Sequence, residues 1–374
     1  MSVTVRSFAK INLGLAIGPR RADGFHDLRT IYQTIALHDR IRVELKRGSG
    51  IEIRCEDPRV PTDESNTCYR IVERTMAVLK AKGSVVVEID KHLPVQGGLG
   101  GASGNAVAAM LALELALKKQ LTGPERLRIA AEVGSDLPLF VVGGTVLGVS
   151  HGEEVYPLPE LPSVSCVIVT PDVAVSTPKA FADWDLLCGA GAPARDLGDC
   201  RDREGHDFSR AGKDRVKRSA LAAEESAGSS TKTTKLTPLA PSAKINEFGR
   251  VLSAWLSPQN KAKSGKGLSG VSAKGRGRAE NPLLDLVRTG IENDFEHVVF
   301  PQHPELVEVK RVLQKAGAMY ASLSGSGSAL YGLFATPAAA HKAAARLSQS
   351  GFPAQATVTL TRRQYWRKFL VSGF

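Results

Sequence analysis

The chain has 374 residues, of which 43% are hydrophobic and 23% charged, which is the composition of a folded protein long enough for two domains. No run of about 20 apolar residues occurs, so we expect neither a membrane span nor a membrane partner, and we see no secretory signal. The five cysteines form no C-x-x-C pair, which argues against a disulfide framework and favours a reducing compartment, the cytoplasm.

Strand and helix patterns alternate along the first 187 residues and predict a mixed α/β domain. Runs of β-branched and aliphatic residues predict strands at 3–17, 31–37, 41–45, 85–89, 139–149 and 164–169. Apolar residues at helical spacing predict helices at 65–80, 103–119 and 124–134. Ser65 is the expected cap of the first helix, and Pro124 suits the first turn of the third.

The composition changes over residues 189–280. Residues 195–280 hold 18 Lys and Arg against 10 Asp and Glu, so they carry +8 of the net charge of +11. Their Ser, Gly and Lys content is typical of a flexible linker, except at 236–257, where helical spacing predicts a helix packed on the domain that follows. Aromatic residues are scarce there, so no stacking platform for nucleic acid is evident and we do not expect such a partner.

Regular patterns return at Pro282. The predicted elements are helices at 283–296 and 305–315, strands at 318–323 and 329–334, a helix at 337–347 and a strand at 354–361. This order of elements favours a ferredoxin-like α+β second domain.

A Gly-rich segment lies between the predicted strand at 85–89 and the predicted helix at 103–119. Its residues are Pro94, Val95, Gln96, Gly97, Gly98, Leu99, Gly100, Gly101, Ala102, Ser103 and Gly104. Glycines allow backbone amides to turn toward a ligand, and a helix N-terminus adds positive charge, so the segment predicts a phosphate-binding loop. No Gly-Lys-Ser/Thr follows, so it is not a Walker A loop, and a tight turn without a ligand is the alternative.

Two places in the first domain carry candidate catalytic residues. Lys10 and Asn12 lie on one face of the first strand, where the alternative is an edge strand that faces solvent. Asp136 follows a predicted helix, where the alternative is a turn or cap residue.

Two loops carry candidate binding residues. Phe25 and His26 follow an Asp23-Gly24 turn and have the chemistry to stack on and hydrogen-bond a base, although a buried Phe and a surface His would give the same sequence. Glycines and hydroxyls at 324–328 form either a second anion-binding loop or a permissive hairpin.

The order of these motifs resembles that of the GHMP kinase superfamily. The stretches Arg-x-Asp-Gly-Phe-His at 21–26 and Gly-Ser-Asp-x-Pro at 134–138 narrow the resemblance to the 4-diphosphocytidyl-2-C-methyl-D-erythritol kinase family, over residues 1–187 and 282–374. That family implies ATP-dependent phosphorylation of the 2-hydroxyl of a small, cytidine-diphosphate-linked methylerythritol in the non-mevalonate isoprenoid pathway. Mg²⁺ is the metal that the resemblance leads us to expect.

The resemblance also implies a two-domain GHMP kinase fold of the α/β (α+β) class. The expected parts are a ribosomal-protein-S5-like domain that binds ATP at 1–157 and a ferredoxin-like domain at 158–374. The second domain would carry the basic insertion at about 189–281, which is longer than is usual in the family.

Residue roles follow from the resemblance by position. Asp136 matches the catalytic base and Lys10 its partner, and an Asp beside a Lys is chemically able to accept a hydroxyl proton. Residues 94–104 match the loop that binds the ATP phosphates. The residues that match the cytidine end of the site are Asn12, Phe25, His26, Thr177 and Phe181, and the two phenylalanines suit a flat base between them.

The Gly-rich loop departs from the family pattern at three positions. Gln96 and Ala102 stand where the family has glycine, and Gly104 stands where it has a second serine. Another GHMP kinase, acting on homoserine, mevalonate or a sugar, is the nearest alternative, although Phe25 and His26 favour a cytidine substrate. A basic RNA-binding protein is the alternative from a different class, motivated by the pI of about 9.5.

Overall fold

A computed structural model describes residues 1–95, 97–188, 241–256, 287 and 291–371 of the chain. The described residues form two sheets with helices packed on each, which confirms the predicted α/β class. The predicted linkers at 195–235 and 259–280 and half of the predicted helix at 283–296 lie outside the described ranges. Residues 291–295 are described and are not helical, so that part of the helix prediction was wrong.

The first sheet has the strand order β3-β4-β2-β5-β6, with β1 paired to β2. Its strands are β1 (Ser2–Arg20), β2 (His26–Lys46), β3 (Gly50–Cys55), β4 (Ser84–Asp90), β5 (Thr145–Ser150) and β6 (Glu154–Pro157). Strands β3 and β4 are parallel, and the other pairs are antiparallel. The long pairing of β1 with β2 places Lys10 and Asn12 beside the middle of β2.

The helices that accompany this sheet are α1 (Thr67–Val78), α2 (Gly101–Leu117), α3 (Gly123–Val133) and α4 (Leu137–Val142). Helix α2 is rich in Ala and Leu on all sides and packs between the sheet and α1, as expected of a helix with little solvent-facing surface. Helix α3 begins with a capping box, in which Thr122 and Glu125 bond each other's backbone amides. The packing of α2 fixes the position of the Gly-rich segment that precedes it.

The second sheet is antiparallel, in the order β10-β7-β9-β8. Its strands are β7 (Ser165–Val169), β8 (Tyr320–Leu323), β9 (Leu330–Phe334) and β10 (Ala354–Val358). The remaining described helices are α5 (Thr177–Leu187), α6 (Pro241–Leu256), α7 (Glu296–Gln302), α8 (Pro304–Lys315), α9 (Pro337–Gln349) and α10 (Arg362–Phe369). This strand order, with helices between β7 and β8 and between β9 and β10, is ferredoxin-like, as the sequence predicted. The domain limits 1–157 and 158–374 stay predictions.

Helix α6 confirms the helix predicted inside the basic insertion. Ile245, Phe248 and Leu252 are buried in a core that they share with strands β7 and β9 of the second sheet. The helix also packs on β1 and β2, which the sequence did not predict. A Cβ atom on Gly18 of β1 would lie 2.8 Å from the side chain of Ile245, so the close approach of α6 requires glycine there. The insertion therefore contributes part of the core beside β1.

Two other local predictions in the first domain were wrong. The strands predicted at 31–37 and 41–45 are one strand, because β2 continues through residues 38–40. Arg40 still pairs with Asp90 of β4. The apolar run at 139–149 is not one strand, because α4 occupies its first part and β5 its second. A short apolar run has no periodicity that separates a buried helix from a buried strand.

The cap of α1 also differs from the prediction. Asn66 rather than Ser65 caps this helix, and its side-chain oxygen accepts a hydrogen bond from the backbone N–H of Cys68 at 2.8 Å. Ser65 instead bonds Asp63 in the preceding turn. Within the described ranges, no helix has both the length and the apolarity needed to cross a membrane.

Candidate active site

A cavity of about 680 Å³ lies between the first sheet, helix α5 and the 324–328 loop, and most of the predicted site residues line it. The predicted residues that line it are Lys10, Asn12, Phe25, His26, Gly98, Gly100, Ser103, Asp136, Thr177 and Phe181. The other described residues of the Gly-rich segment do not line it, and Pro94 and Leu99 line a smaller, separate cavity of about 380 Å³. Gln96 lies outside the described residues.

Lys10 and Asp136 form an ion pair at the edge of this cavity. The Lys10 Nζ lies 3.4 Å from the Asp136 Oδ2 and donates a hydrogen bond to the Asn12 Oδ1 at 2.7 Å. The Asn12 amide donates in turn to the Thr30 hydroxyl at 2.7 Å. Lys10 is buried, whereas the side chain of Asp136 keeps 37% of its surface exposed to the cavity and solvent. The ammonium is therefore fixed by two acceptors, and the carboxylate faces the space in which a ligand would bind.

Tyr32 is a residue of this site that the sequence analysis missed. Its hydroxyl donates to the Asp136 Oδ1 at 2.9 Å, and the Lys10 Nζ lies 5.6 Å from the centre of its ring. Burial and the adjacent Asp136 carboxylate raise the pKa of Tyr32 well above its usual range. The phenol thus keeps its proton and remains a donor to the carboxylate at neutral pH.

Asp136 is held at the junction of α3 and α4, at the N-cap position of α4. Gly152, in the turn after β5, lies close by with a φ of +102°. A Cβ atom at Gly152 would lie 2.6 Å from the Tyr32 hydroxyl and 3.9 Å from the Asp136 Oδ1. Glycine at this position leaves room for the hydrogen bond between the phenol and the carboxylate.

The Gly-rich segment adopts a conformation that other residues would strain. Gly98 and Gly100 have φ values of +72° and +70°, and Gly100 is the residue from which α2 begins. A Cβ atom at Gly98 would lie 2.2 Å from the carbonyl oxygen of Ser324, so the two Gly-rich loops are in direct backbone contact. The Lys10 N–H donates to the Leu99 carbonyl at 2.9 Å, which fastens the segment to β1.

The second Gly-rich loop, residues 324–328, joins the site from the other domain. The Ser324 hydroxyl donates to the Gly98 carbonyl at 3.0 Å, and the Asn293 amide donates to the carbonyls of Leu323 and Gly325 at 2.9 and 2.8 Å. A Cβ atom at Gly325 would lie 3.5 Å from the Lys10 Nζ. The loop connects β8 to β9 and also lies against the catalytic candidates, while its predicted anion-binding role stays a prediction.

The packing of α2 against β1 explains why residue 104 is glycine. A Cβ atom there would lie 2.9 Å from the Ser7 hydroxyl and 3.0 Å from the Phe8 carbonyl oxygen of β1. A serine at 104 would therefore require β1 to shift. Glycine at 104 therefore permits the close approach of α2 to β1.

The opposite end of the cavity is aromatic. The His26 ring stacks on Phe181 with centroids 5.0 Å apart and an angle of 10° between the planes, and Phe181 meets Phe295 edge to face at 4.9 Å. One ring nitrogen of His26, Nε2, lies 2.7 Å from the Asp185 Oδ1. Thr177 bonds Ser326 between their hydroxyl oxygens at 2.7 Å. Helix α5, which supplies the 177–185 residues, was not predicted from the sequence.

Phe25 stands apart from this cluster, at the rim of the cavity. Its side chain is 62% exposed, and its ring lies 5.0 Å from that of His151. The predicted Asp23-Gly24 turn is present, because the Asp23 carboxylate accepts from the Phe25 N–H at 3.0 Å and Gly24 has a φ of +86°. That hydrogen bond lowers the pKa of Asp23. Phe25 and Phe181 line one cavity, but each has another ring as its nearest aromatic neighbour.

The described residues contain no group of three or more His, Cys, Asp or Glu side chains placed to hold a metal ion. A Mg²⁺ ion that travels with a nucleotide needs only one or two carboxylates, because phosphate oxygens and waters complete its shell. The exposed carboxylate of Asp136 and the hydroxyl of Ser103 line the same cavity and suit such a partly protein-bound ion.

Comparison with known proteins identifies the class. The family models described as GHMP kinases N terminal domain and GHMP kinases C terminal match residues 66–144 and 279–353. The crystal structure of a 4-(cytidine 5'-diphospho)-2C-methyl-D-erythritol kinase superposes with a TM-score of 0.61 at 24% identity, covering 96% of this chain and 99% of that one. A homoserine kinase from Cytophaga hutchinsonii gives a TM-score of 0.61 at 18% identity, covering 96% and 95%. These likenesses show the fold, and with the family models they define a GHMP kinase.

Sequence relatives narrow the class further. A 4-diphosphocytidyl-2-C-methyl-D-erythritol kinase of Solibacter usitatus (strain Ellin6076) is 33% identical over 88% of this chain and 80% of its own length. The protein of the same name from Synechococcus elongatus is 30% identical over 93% of this chain and 91% of its own length. The chain belongs to the 4-diphosphocytidyl-2-C-methyl-D-erythritol kinase family and is an ATP-dependent phosphotransferase.

Proposed function

We propose that the chain transfers the γ-phosphoryl group of ATP to the 2-hydroxyl of 4-diphosphocytidyl-2-C-methyl-D-erythritol. The products are the 2-phosphate and ADP, and the reaction belongs to the non-mevalonate route to isoprenoid precursors. The observation that carries the proposal is a single cavity with the Lys10–Asp136 pair between two Gly-rich loops and an aromatic end at His26 and Phe181. The family supports the same substrate.

The chemistry assigned to the pair is proton acceptance and charge compensation. Asp136 accepts the proton of the substrate's 2-hydroxyl while the oxygen of that hydroxyl forms a bond to the γ-phosphorus of ATP. At the same time, the bond between the γ-phosphorus and the bridging oxygen breaks, and ADP leaves with that oxygen. Lys10 carries the positive charge beside the developing negative charge of the transferred group. The Tyr32 hydroxyl donates to the Oδ1 of Asp136, and Lys10 pairs with its Oδ2. Together they fix the orientation of the carboxylate.

The phosphates of ATP are assigned to the Gly-rich segment at 94–104. The N-terminus of α2 begins there with no side chain capping it, so the first N–H groups of the helix and its partial positive charge suit a phosphate. Mg²⁺ would be held mainly by ATP oxygens and waters, and it would neutralise phosphate charge. Ser103, in the first turn of α2, also lines the cavity.

The aromatic end is assigned to the cytosine base. A planar base suits a surface of stacked rings, whereas homoserine, mevalonate and sugars offer no planar ring for His26 and Phe181 to contact. Asn12 and Thr177 line the same cavity and provide hydrogen-bonding groups. All proposed substrates are small molecules. We propose no nucleic-acid or membrane partner. We also propose a cytoplasmic location, which the cysteine pattern supports.

The test is a direct comparison of acceptors with the full chain. ADP release with ATP and Mg²⁺ is measured for 4-diphosphocytidyl-2-C-methyl-D-erythritol, homoserine, mevalonate and galactose, and the product is located by phosphorus NMR. We expect kcat/KM for the cytidine substrate to exceed the others by at least 100-fold, with the new phosphate on the 2-oxygen. Higher kcat/KM with any other acceptor would overturn the substrate assignment.

A further inference from the structure

A fully buried carboxylate, Asp39, lies outside the cavity and has no part in the proposed chemistry. It belongs to β2, and four donors surround it within the described residues. The backbone N–H groups of His92 and Leu93 and the ammonium of Lys91 each lie 2.7 Å from one of its oxygens, and the Asn105 amide lies 2.9 Å away. Every one of these neighbours donates, so only a deprotonated carboxylate satisfies all of them.

The four donors flank the Gly-rich segment on both sides. Residues 91–93 lead directly into Pro94, and Asn105 is in the first turns of α2, directly after Gly104. The Lys91 Nζ also lies 3.4 Å from the position that a Cβ atom on Gly101 would occupy, at the start of α2. One carboxylate therefore joins the entry and the exit of the loop to the same point of β2.

A loop rich in glycine has many conformations to lose when its amides converge on a phosphate. Anchoring both ends reduces that cost before the ligand arrives, which is how preorganisation increases affinity. The anchor is strong, because hydrogen bonds to an ionised acceptor are stronger than neutral ones and the site excludes water. Loss of the anchor should weaken nucleotide binding and leave the cytidine end unaffected, because Asp39 bonds none of the residues assigned to that end.

We propose that Asp39 is a positioning residue for the phosphates of ATP, acting through the two ends of the 94–104 loop. The proposal rests on the assignment of this loop to ATP in the proposed function. It adds a residue that touches neither substrate and that determines nucleotide affinity from beneath the loop.

The test compares Asp39→Asn with Glu114→Gln in the full chain. Glu114 is a matched control: it is a buried carboxylate at the other end of α2 that accepts from a cation, Arg126, and from a backbone N–H, that of Leu121. We expect Asp39→Asn to raise KM for ATP at least tenfold and to change KM for the acceptor less than threefold. Glu114→Gln should lower the melting temperature and change neither KM by more than twofold.

Two results would overturn the proposal. One is a folded Asp39→Asn protein in which KM for ATP and KM for the acceptor change equally, or in which neither changes. The other is an ATP-selective rise in KM for Glu114→Gln, because general destabilisation of α2 would then explain the effect.

A milder variant keeps the proposal testable if Asp39→Asn does not fold. The Asn105 Oδ1 has no hydrogen-bond partner among the described residues, so Asn105→Ala removes the contact with Asp39 and orphans no other group. Calorimetric titration of each protein with MgATP, without acceptor, should show at least threefold weaker binding for Asn105→Ala. Equal MgATP affinity in Asn105→Ala and wild type would refute the role of Asp39.

The titration also separates this inference from the proposed function. Weaker MgATP binding by the variants, in a protein that does not phosphorylate the cytidine substrate, would leave the anchor standing and refute the substrate. Turnover of the cytidine substrate by the wild type, with unchanged MgATP affinity in the variants, would support the proposed function and refute the anchor. A wild-type protein that does not bind MgATP would overturn both.

Discussion

Replacing Asp136 by Asn tests the central pair of the site. Asn keeps the shape of the side chain and can still accept from the Tyr32 hydroxyl, but it loses the charge that faces Lys10 at 3.4 Å. At an effective dielectric constant of about 20, this pair attracts by about 5 kcal/mol before solvent screening. Because 37% of the Asp136 side chain is exposed, its net contribution to stability should be about 1 kcal/mol or less.

The effect on turnover should be much larger than the effect on stability. A positioned general base contributes about 10²–10⁴-fold, or about 3–5.5 kcal/mol at about 1.4 kcal/mol per decade. We therefore expect Asp136→Asn to lose 10²–10⁴-fold in kcat, with a melting temperature within about 4 °C of wild type and unchanged ATP binding. ADP formation under saturating substrates, thermal unfolding and MgATP titration measure the three quantities.

The same experiment distinguishes a catalytic pair from two independent contributors. Lys10→Met should be impaired similarly, and the double variant should be little worse than either single variant, because residues that act as a unit are strongly non-additive. Asp183→Asn is the control, since Asp183 pairs with Lys179 at 2.9 Å outside the cavity, and we expect wild-type kcat. Turnover within threefold of wild type in Asp136→Asn would remove this carboxylate from the mechanism.

Four further results are expected. Tyr32→Phe should lower kcat by about 10- to 100-fold in a folded protein, because a hydrogen bond to a charged group contributes about 1.5–3 kcal/mol. Wild-type kcat in steady-state kinetics would show that the phenol has no role. Phe181→Ala should raise KM for the cytidine substrate about 10- to 100-fold with KM for ATP within twofold, and a rise for ATP instead would reverse the two ends of the site. Phe248→Ala should cost about 3–5 kcal/mol in urea unfolding, because Phe248 is buried against β1, while unchanged stability would contradict that packing. Replacing 195–235 and 259–280 by short Gly/Ser linkers should keep kcat/KM within a few-fold, and a loss beyond tenfold in a folded protein would show that these segments reach the site.

The strand period was enough to place part of the site from sequence. Side chains alternate along β1, so Lys10 and Asn12 had to share a face, and in the structure their side chains bond each other. Tyr32 required the register of β1 against β2, which shifts between Phe8 and Ala9 and between Asn12 and Gly14. A shift of one residue exchanges the faces of a strand, so no local pattern in β2 could identify the partner of Asp136.

Partners from distant elements were beyond the reach of sequence patterns. Asp185 lies 159 residues from His26 along the chain, on a helix that buries only Ala180 and Trp184 and whose apolar residues show no clear helical period. Asp39 sits in a polar run that favoured a link between two strands, and only the four donors around it explain a buried charge there. The Gly-rich segment, by contrast, was evident because its composition departs so far from that of a helix or a strand.

The contact between Gly98 and Ser324 has a consequence for the order in which the protein becomes functional during synthesis. The two residues are 226 positions apart, and the second arrives from the ribosome long after the first. At about 5–20 residues per second, the interval is about 10–45 s. During that interval the nascent first domain holds its Gly-rich segment without the backbone that it packs against. A newly synthesised chain therefore completes the proposed nucleotide site late in translation, when the strand pair β8–β9 has emerged.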